Sequence, residues 1–181
     1  MAKVKCANCG EEMIEAYTRI GFKIFVCGHT KMAPKREING IARQGEIYCK
    51  IDIQGLRASF DKFASGSNLT LEKLRKATKE TVSNATLLEQ ANLALMLGLP
   101  ADELATLFEC SMKLGRAVGI PTEKAIEALC RGVGRRSRMI LDNIGIVFKA
   151  KEAYDAYPNL DKNEAWQRHA LKLIKEKAGR L

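Results

Sequence analysis

The chain is poor in aromatic side chains, which make up 6% of its 181 residues and include a single tryptophan. A large aromatic-rich core is therefore not expected. The sequence also lacks any run of about 18 apolar residues, so it predicts no membrane-spanning segment. Its polar first residues, MAKVKCANCG, do not resemble a secretory signal. These absences predict a soluble intracellular protein.

Groups suited to catalysis are missing as well. No serine or cysteine has a histidine partner in an arrangement typical of nucleophilic catalysis. His169 stands alone in the last helical pattern, and most carboxylates fall on helix faces beside lysines. The sequence therefore predicts a protein that is not an enzyme.

Positive charge is in excess, with a net charge of +9 and an isoelectric point near 9.3. The excess is spread along the chain, because residues 1–66 carry a net +4 and residues 67–181 a net +5. A diffuse excess favours weak, nonspecific contact with DNA over a dedicated site.

The densest basic cluster, RGVGRRSR, contains Arg131, Arg135, Arg136 and Arg138. Arginines beside two glycines and a helix start can hold phosphate. The cluster lacks the Gly-Lys-Ser/Thr ending of a Walker loop, and no strand precedes it as in a dinucleotide fingerprint. A solvated connection between helices is the simpler interpretation, and both remain open here.

Four cysteines lie in the first fifty residues. Cys6 and Cys9 form a C-x2-C-G knuckle, in which two thiolates on a tight turn can face one metal ion. Cys27 and His29 offer a second pair of ligands, and Cys49 is an alternative fourth ligand. Four protein ligands leave no open position, so we predict a structural zinc ion. Unligated thiols and a redox pair at the knuckle are the alternatives.

The residues between these ligands alternate as in strands. Residues 14–20 and 22–26 flank Gly21 and predict a β-hairpin, and residues 46–53 predict another strand. A module of this size needs a metal to supplement its small core. We therefore predict a zinc-ribbon-like β module over residues 1–63.

Residues 64–181 are predicted to form a second domain of short antiparallel helices, so the fold class is mainly α. Helices are predicted from 69 to about 80, from a Ser83 or Asn84 cap to 97, and from an Asp161 cap to 177. Within helical patterns, Cys110 and Cys130 are expected to be small core residues.

Three helix ends share one pattern, a glycine followed by an apolar residue, at Gly98, Gly119 and Gly145. This pattern is typical of Schellman or αL caps. The first two are followed by prolines at the predicted start of the next helix, and the 21-residue spacing suggests a weak internal repeat. The repeat units place an apolar stripe on each helix: Leu104, Leu107, Phe108, Ser111, Leu114, Gly115 and Val118, then Ala125, Ile126, Leu129 and Val133.

The helical region resembles a segment of the tail tape measure proteins of long-tailed bacteriophages and related prophages. The resemblance extends over residues 74–146 and continues loosely to the last helix. It rests on LRKATKETVS at 74–83, LEQANLALMLG at 88–98, LGRAVGI at 114–120, AIEAL at 125–129 and GVGRRSRMILDNIGI at 132–146.

The resemblance implies a non-enzymatic structural protein of the virion tail that is helical, cytoplasmic before assembly, and in contact with tail proteins or with itself. It implies no catalytic residue. Two features depart from the family. Its members are much longer than this chain. The roughly 110 helical residues of this chain would span only roughly 165 Å even as one straight helix, too short for a full tail ruler. The N-terminal cysteine module is also foreign to it. The alternative is a zinc-containing nucleic-acid-binding or regulatory protein.

Overall fold

The computed structural model describes Cys6, residues 12–19, 22–26, 30–32, 36–38, 41–43 and 47–49, and all of residues 53–181. The chain divides into two compact units, residues 1–57 and residues 58–181.

The first unit contains short antiparallel strand pairs. In the longest pair, Ile14 lies opposite Val26 and Arg19 opposite Phe22, with a register shift between Glu15 and Tyr17. The strands are β1 Ile14–Arg19 with β2 Phe22–Val26, β3 Thr30–Met32 with β6 Ile47–Cys49, and β4 Arg36–Ile38 with β5 Ile41–Arg43.

Part of the strand predicted over residues 46–53 lies within the described residues. Ile47–Cys49 is extended as predicted, whereas Ile53 instead begins helix α1, Ile53–Phe63. From Ile53 onward the large apolar residues recur at helical spacing, at Leu56 and Phe60, and this period replaces the alternation of the preceding strand. Phe60 is the buried residue of this helix.

Residues 53–181 are mainly helical, with eight helices and no strand. Helix α4 is central to the second unit because it packs against α2, α3, α5 and α8, and α8 also contacts α5 and α7. The helices after α1 are α2 Leu71–Ala77, α3 Asn84–Met96, α4 Ala101–Val118, α5 Thr122–Gly134, α6 Arg138–Asp142, α7 Ala150–Ala156 and α8 Lys162–Gly179.

The predicted apolar stripes are buried with one exception. Every stripe residue of α4 and α5 is buried except Val118, which is 47% exposed. Ile120 explains the difference, because the chain turns at Gly119 and brings Ile120 back over the last turn of α4 beside Gly115. Ile120 therefore covers the last turn of α4, where the predicted stripe had placed Val118.

The predicted starts of α3 and α8 are confirmed, whereas the helix predicted from residue 69 begins at Leu71 after a Thr70 cap. Ser83 Oγ accepts a hydrogen bond from the Thr86 N–H at 3.2 Å, and Asp161 Oδ1 accepts from the N–H groups of Asn163 and Glu164. Pro100 and Pro121 occupy the N-cap positions of α4 and α5. A proline stands there without loss because the first N–H groups of a helix have no acceptor within it.

The three predicted glycine caps are confirmed as Schellman motifs. After α3, the Leu99 N–H donates to the Ala94 carbonyl and the Gly98 N–H to the Leu95 carbonyl, both at 3.0 Å. Gly98, Gly119 and Gly145 all have φ between 74° and 79°, the left-handed conformation that glycine adopts without steric cost. The same pair of bonds closes α4 and α6.

Two further helices end in this way without glycine. Lys79 after α2 and Arg136 after α5 have φ of 49° and 53°, and each is followed by a residue whose N–H completes a Schellman motif. The sequence pattern missed both, because only glycine marks such a turn in the sequence.

Candidate functional site

Of the predicted zinc ligands, Cys6 is the one whose side chain the structure describes. Its thiol is buried and forms no disulfide. Cys9, Cys27 and His29 lie outside the described residues. Among the residues that are described, no group of three or more histidine, cysteine or acidic side chains could hold a metal ion.

The alternative fourth ligand, Cys49, ends strand β6. Its backbone pairs with Thr30 of β3, the residue that follows His29 in the sequence. Its side chain also lies outside what the structure describes. Cys49 therefore pairs with the neighbour in sequence of the other candidate, and His29 and Cys49 both remain candidate fourth ligands.

Cys110 and Cys130 are buried core residues, as predicted. Burial raises the pKa of the Cys130 thiol to about 12, and burial is also the main cause of a raised pKa at Cys110. Both thiols stay protonated at neutral pH and are poor nucleophiles, since the thiolate is the reactive form.

The two glycines of the basic cluster lie inside α5 and have packing roles. A Cβ added to Gly132 would lie 2.5 Å from Leu141 Cδ2, and one added to Gly134 would lie 2.6 Å from Leu97 Cβ. Both glycines therefore allow α5 to approach its neighbours closely.

The four arginines of the cluster differ in their surroundings. Arg131 forms an ion pair with Glu127, with 3.0 Å between Nη2 and Oε1. Arg135, Arg136 and Arg138 are exposed at the corner between α5 and α6. The described residues offer these three no ion-pair partner. Three of the four predicted arginines are thus exposed to solvent, while Arg131 has a carboxylate partner.

Replacing Arg136 by glycine is expected to stabilise the helical unit by about 0.5–1 kcal/mol, because glycine adopts the left-handed conformation without the cost that a Cβ brings. Urea unfolding followed by circular dichroism at 222 nm measures this. The matched control is Arg135→Gly, where φ is −87° and glycine only loosens the chain. Equal effects of the two substitutions would show that the conformation of Arg136 carries no strain.

His169 belongs to an aromatic cluster. Its ring lies 5.1 Å from that of Phe148 and 6.4 Å from that of Tyr157, and Phe148 also contacts Trp166 at 5.0 Å. The Nδ1 atom is buried, and none of the described side chains bonds to it. These contacts give the histidine a packing role between α8 and the segment leading into α7.

No protein-family model, curated protein or solved structure matches the chain. In the part of the chain that the structure describes, no helix is both long enough and apolar enough to cross a bilayer.

Proposed function

We propose that the chain is a non-enzymatic structural or assembly protein derived from a phage or prophage, whose helical unit corresponds to a segment of a tail tape measure protein. It acts by binding tail proteins or further copies of itself, in the cytoplasm before assembly and then in the tail. The proposal rests on where the tape-measure-like strings lie in the fold.

One of the strings contains several positions on which the helical packing depends. The most specific string, residues 132–146, contains the close-packed Gly132 and Gly134 and the left-handed Gly145. It also supplies the Ser137 cap of α6 and buried core residues, among them Leu141. A shared helical fold would require residues of these kinds at these positions, and this supports the proposal.

The N-terminal module is proposed to hold one structural zinc ion through Cys6, Cys9, Cys27 and His29, with Cys49 as the alternative fourth ligand. The buried, unpaired thiol of Cys6 fits this set, because a soft sulfur donor shielded from water suits zinc. Once bound, the ion would stabilise a module that is too small to depend on a large core of its own.

A zinc-containing nucleic-acid-binding protein is the second candidate. It is favoured by the exposed Arg135, Arg136 and Arg138, which the described carboxylates leave without an ion pair. Three such guanidinium groups on one corner could contact a phosphate backbone.

Binding to duplex DNA at different salt concentrations separates the two candidates. For an assembly protein we expect no measurable DNA binding at about 0.15 M salt. At low salt we expect weak binding that is equal for the unmodified chain and for the variant in which Arg135, Arg136 and Arg138 are replaced by alanine. The control variant replaces Arg131 and Arg168, which already pair with Glu127 and Glu164. Binding that weakens in the triple variant alone, with a salt slope shallower by about 2.7, would favour the nucleic-acid-binding protein.

The assembly role has a direct test of its own. Tail genes are expected beside the gene for this chain, and co-expression with the tube subunit encoded there is expected to give a complex on size-exclusion chromatography. A neighbourhood without tail genes, or a tube subunit that elutes separately from the chain, would contradict the proposal.

A further inference from the structure

Two adjoining grooves lie on the helical unit where the loop after α6 meets the last turns of α8. The first has a volume of about 330 Å³ and is lined by residues that include Val147 and Leu173. The second, of about 290 Å³, is lined by residues that include Met139 and Phe148. Ile146 and Val147 line both grooves, so the two form one continuous strip.

The strip combines an apolar floor with exposed apolar side chains. Ile146 and Phe148 are buried at its floor, whereas Met139 is 80% exposed and Val147 is 72% exposed. Single exposed apolar residues are common on protein surfaces, but their clustering beside a groove is typical of a binding site.

The charged side chains that line the strip are three basic ones, Arg138, Lys177 and Arg180, and two acidic ones, Asp142 and Glu176. Glu176 lies 3.9 Å from Lys172, which offsets part of its negative charge. Lys177 Nζ donates a hydrogen bond to the Gly145 carbonyl oxygen, which leaves its positive charge uncompensated. The strip therefore has a small excess of positive charge beside an apolar floor, which favours a ligand that is both apolar and acidic.

We propose that this strip, formed by Met139, Ile146, Val147, Phe148 and Leu173 with its basic rim, binds an acidic amphipathic helix of a partner protein. Residues 53–181 contain no strand, so the unit offers no sheet edge to which an extended peptide could add. An amphipathic helix instead places apolar side chains in a groove and carboxylates along its rim.

Other occupants fit the strip less well. A second copy would bring two sets of basic residues together in a chain that already carries a net charge of +9. A bilayer surface would not reach the buried floor at Ile146 and Phe148. A nucleic-acid backbone offers phosphates but no apolar side chains to fill the floor formed by Ile146 and Phe148.

The test is selection by the full chain from a displayed library of random peptides about 15 residues long, enough for four helical turns. Enriched peptides are synthesised, and their affinity is measured by fluorescence anisotropy. We expect acidic sequences with apolar residues at helical spacing, and binding at least about tenfold weaker to Val147→Glu and to Met139→Glu. Met96→Glu is the matched control, since Met96 is 70% exposed and lines neither groove.

The results that would overturn the proposal are equally specific. They are a selection without enrichment, enrichment of basic peptides, or acidic peptides that bind the Val147 and Met139 variants as tightly as the unmodified chain. Self-association or binding to anionic vesicles that Val147→Glu abolishes would assign the strip to another occupant. Peptide binding is independent of a phage origin, so either proposal can fail while the other stands.

Discussion

Replacing Gly134 by alanine is expected to destabilise the helical unit by about 2 kcal/mol. The added Cβ would lie 2.6 Å from Leu97 Cβ and 2.8 Å from Leu97 Cδ1, and Leu99 Cδ1 would be only 3.0 Å away. Overpacking of this kind costs about 1–3 kcal/mol, more than the 0.5–1 kcal/mol that alanine gains over glycine in a helix.

Leu97 cannot move aside easily. Its Cβ is fixed by the backbone, and its N–H donates to the Leu93 carbonyl at 3.0 Å. The hydrogen bond from the Leu99 N–H to the Ala94 carbonyl holds the same turn from the other side. Relief of the contact would therefore require α5 to shift as a whole against the turn between α3 and α4.

Gly179→Ala is the matched control for this substitution. Gly179 and Gly134 are each the last residue of a long helix, but a Cβ on Gly179 would have no neighbour within 4 Å. Urea unfolding followed by helical circular dichroism is expected to show lower stability for Gly134→Ala, with unchanged or slightly higher stability for Gly179→Ala. Equal changes in the free energy of unfolding for the two variants would show that the close contact with Leu97 does not exclude a side chain at residue 134.

The helix ends show which part of this fold can be predicted from sequence. Gly98, Gly119 and Gly145 were identifiable because glycine is the residue that enters the left-handed region at no cost. Lys79 and Arg136 occupy the same position in the same motif, but their side chains carry no preference for it. In these two turns the surrounding packing outweighs the energetic cost of a left-handed conformation at a residue with a Cβ. A single sequence does not show which of these two contributions is larger.

The candidate sites also differ in how far they can be predicted from sequence. The basic cluster was visible because its arginines are close in sequence, and the Glu127–Arg131 pair follows the ordinary i, i+4 spacing of a helix. The strip beside α6 was not predictable, because it joins Met139 and Val147 to Leu173 of a distant helix. Such a site exists only once tertiary packing has placed α8 against the loop.

Removing zinc is expected to unfold the N-terminal module while the helical unit stays folded. This prediction rests on the proposed zinc site. Structural zinc contributes about 10–16 kcal/mol in small zinc-binding peptides, far more than short strand pairs are expected to provide. The chain divides between residues 57 and 58, so we expect the helical signal in circular dichroism to survive chelation.

The measurement is metal analysis of the purified chain, with one zinc per molecule expected. Cys6→Ser and Cys9→Ser are expected to abolish zinc binding and to collapse the nuclear magnetic resonance signals of the module. Cys110→Ala is the control. Cys110 lies in the helical core, so its replacement is expected to leave the zinc content unchanged. A metal-free chain with a well-dispersed N-terminal spectrum would contradict the proposed site.

The fourth ligand can be identified in the same experiment. His29→Ala is expected to weaken zinc binding more than Cys49→Ser, and the reverse order would assign the position to Cys49. The comparison is informative because Cys49 pairs with Thr30, the residue that follows His29 in the sequence. A protonated ligand does not bind, so zinc should be released as the pH falls, through protonation of the thiolates and, if it is a ligand, the imidazole. Loss of zinc in only one of the two variants would therefore establish whether three sulfurs or four hold the ion.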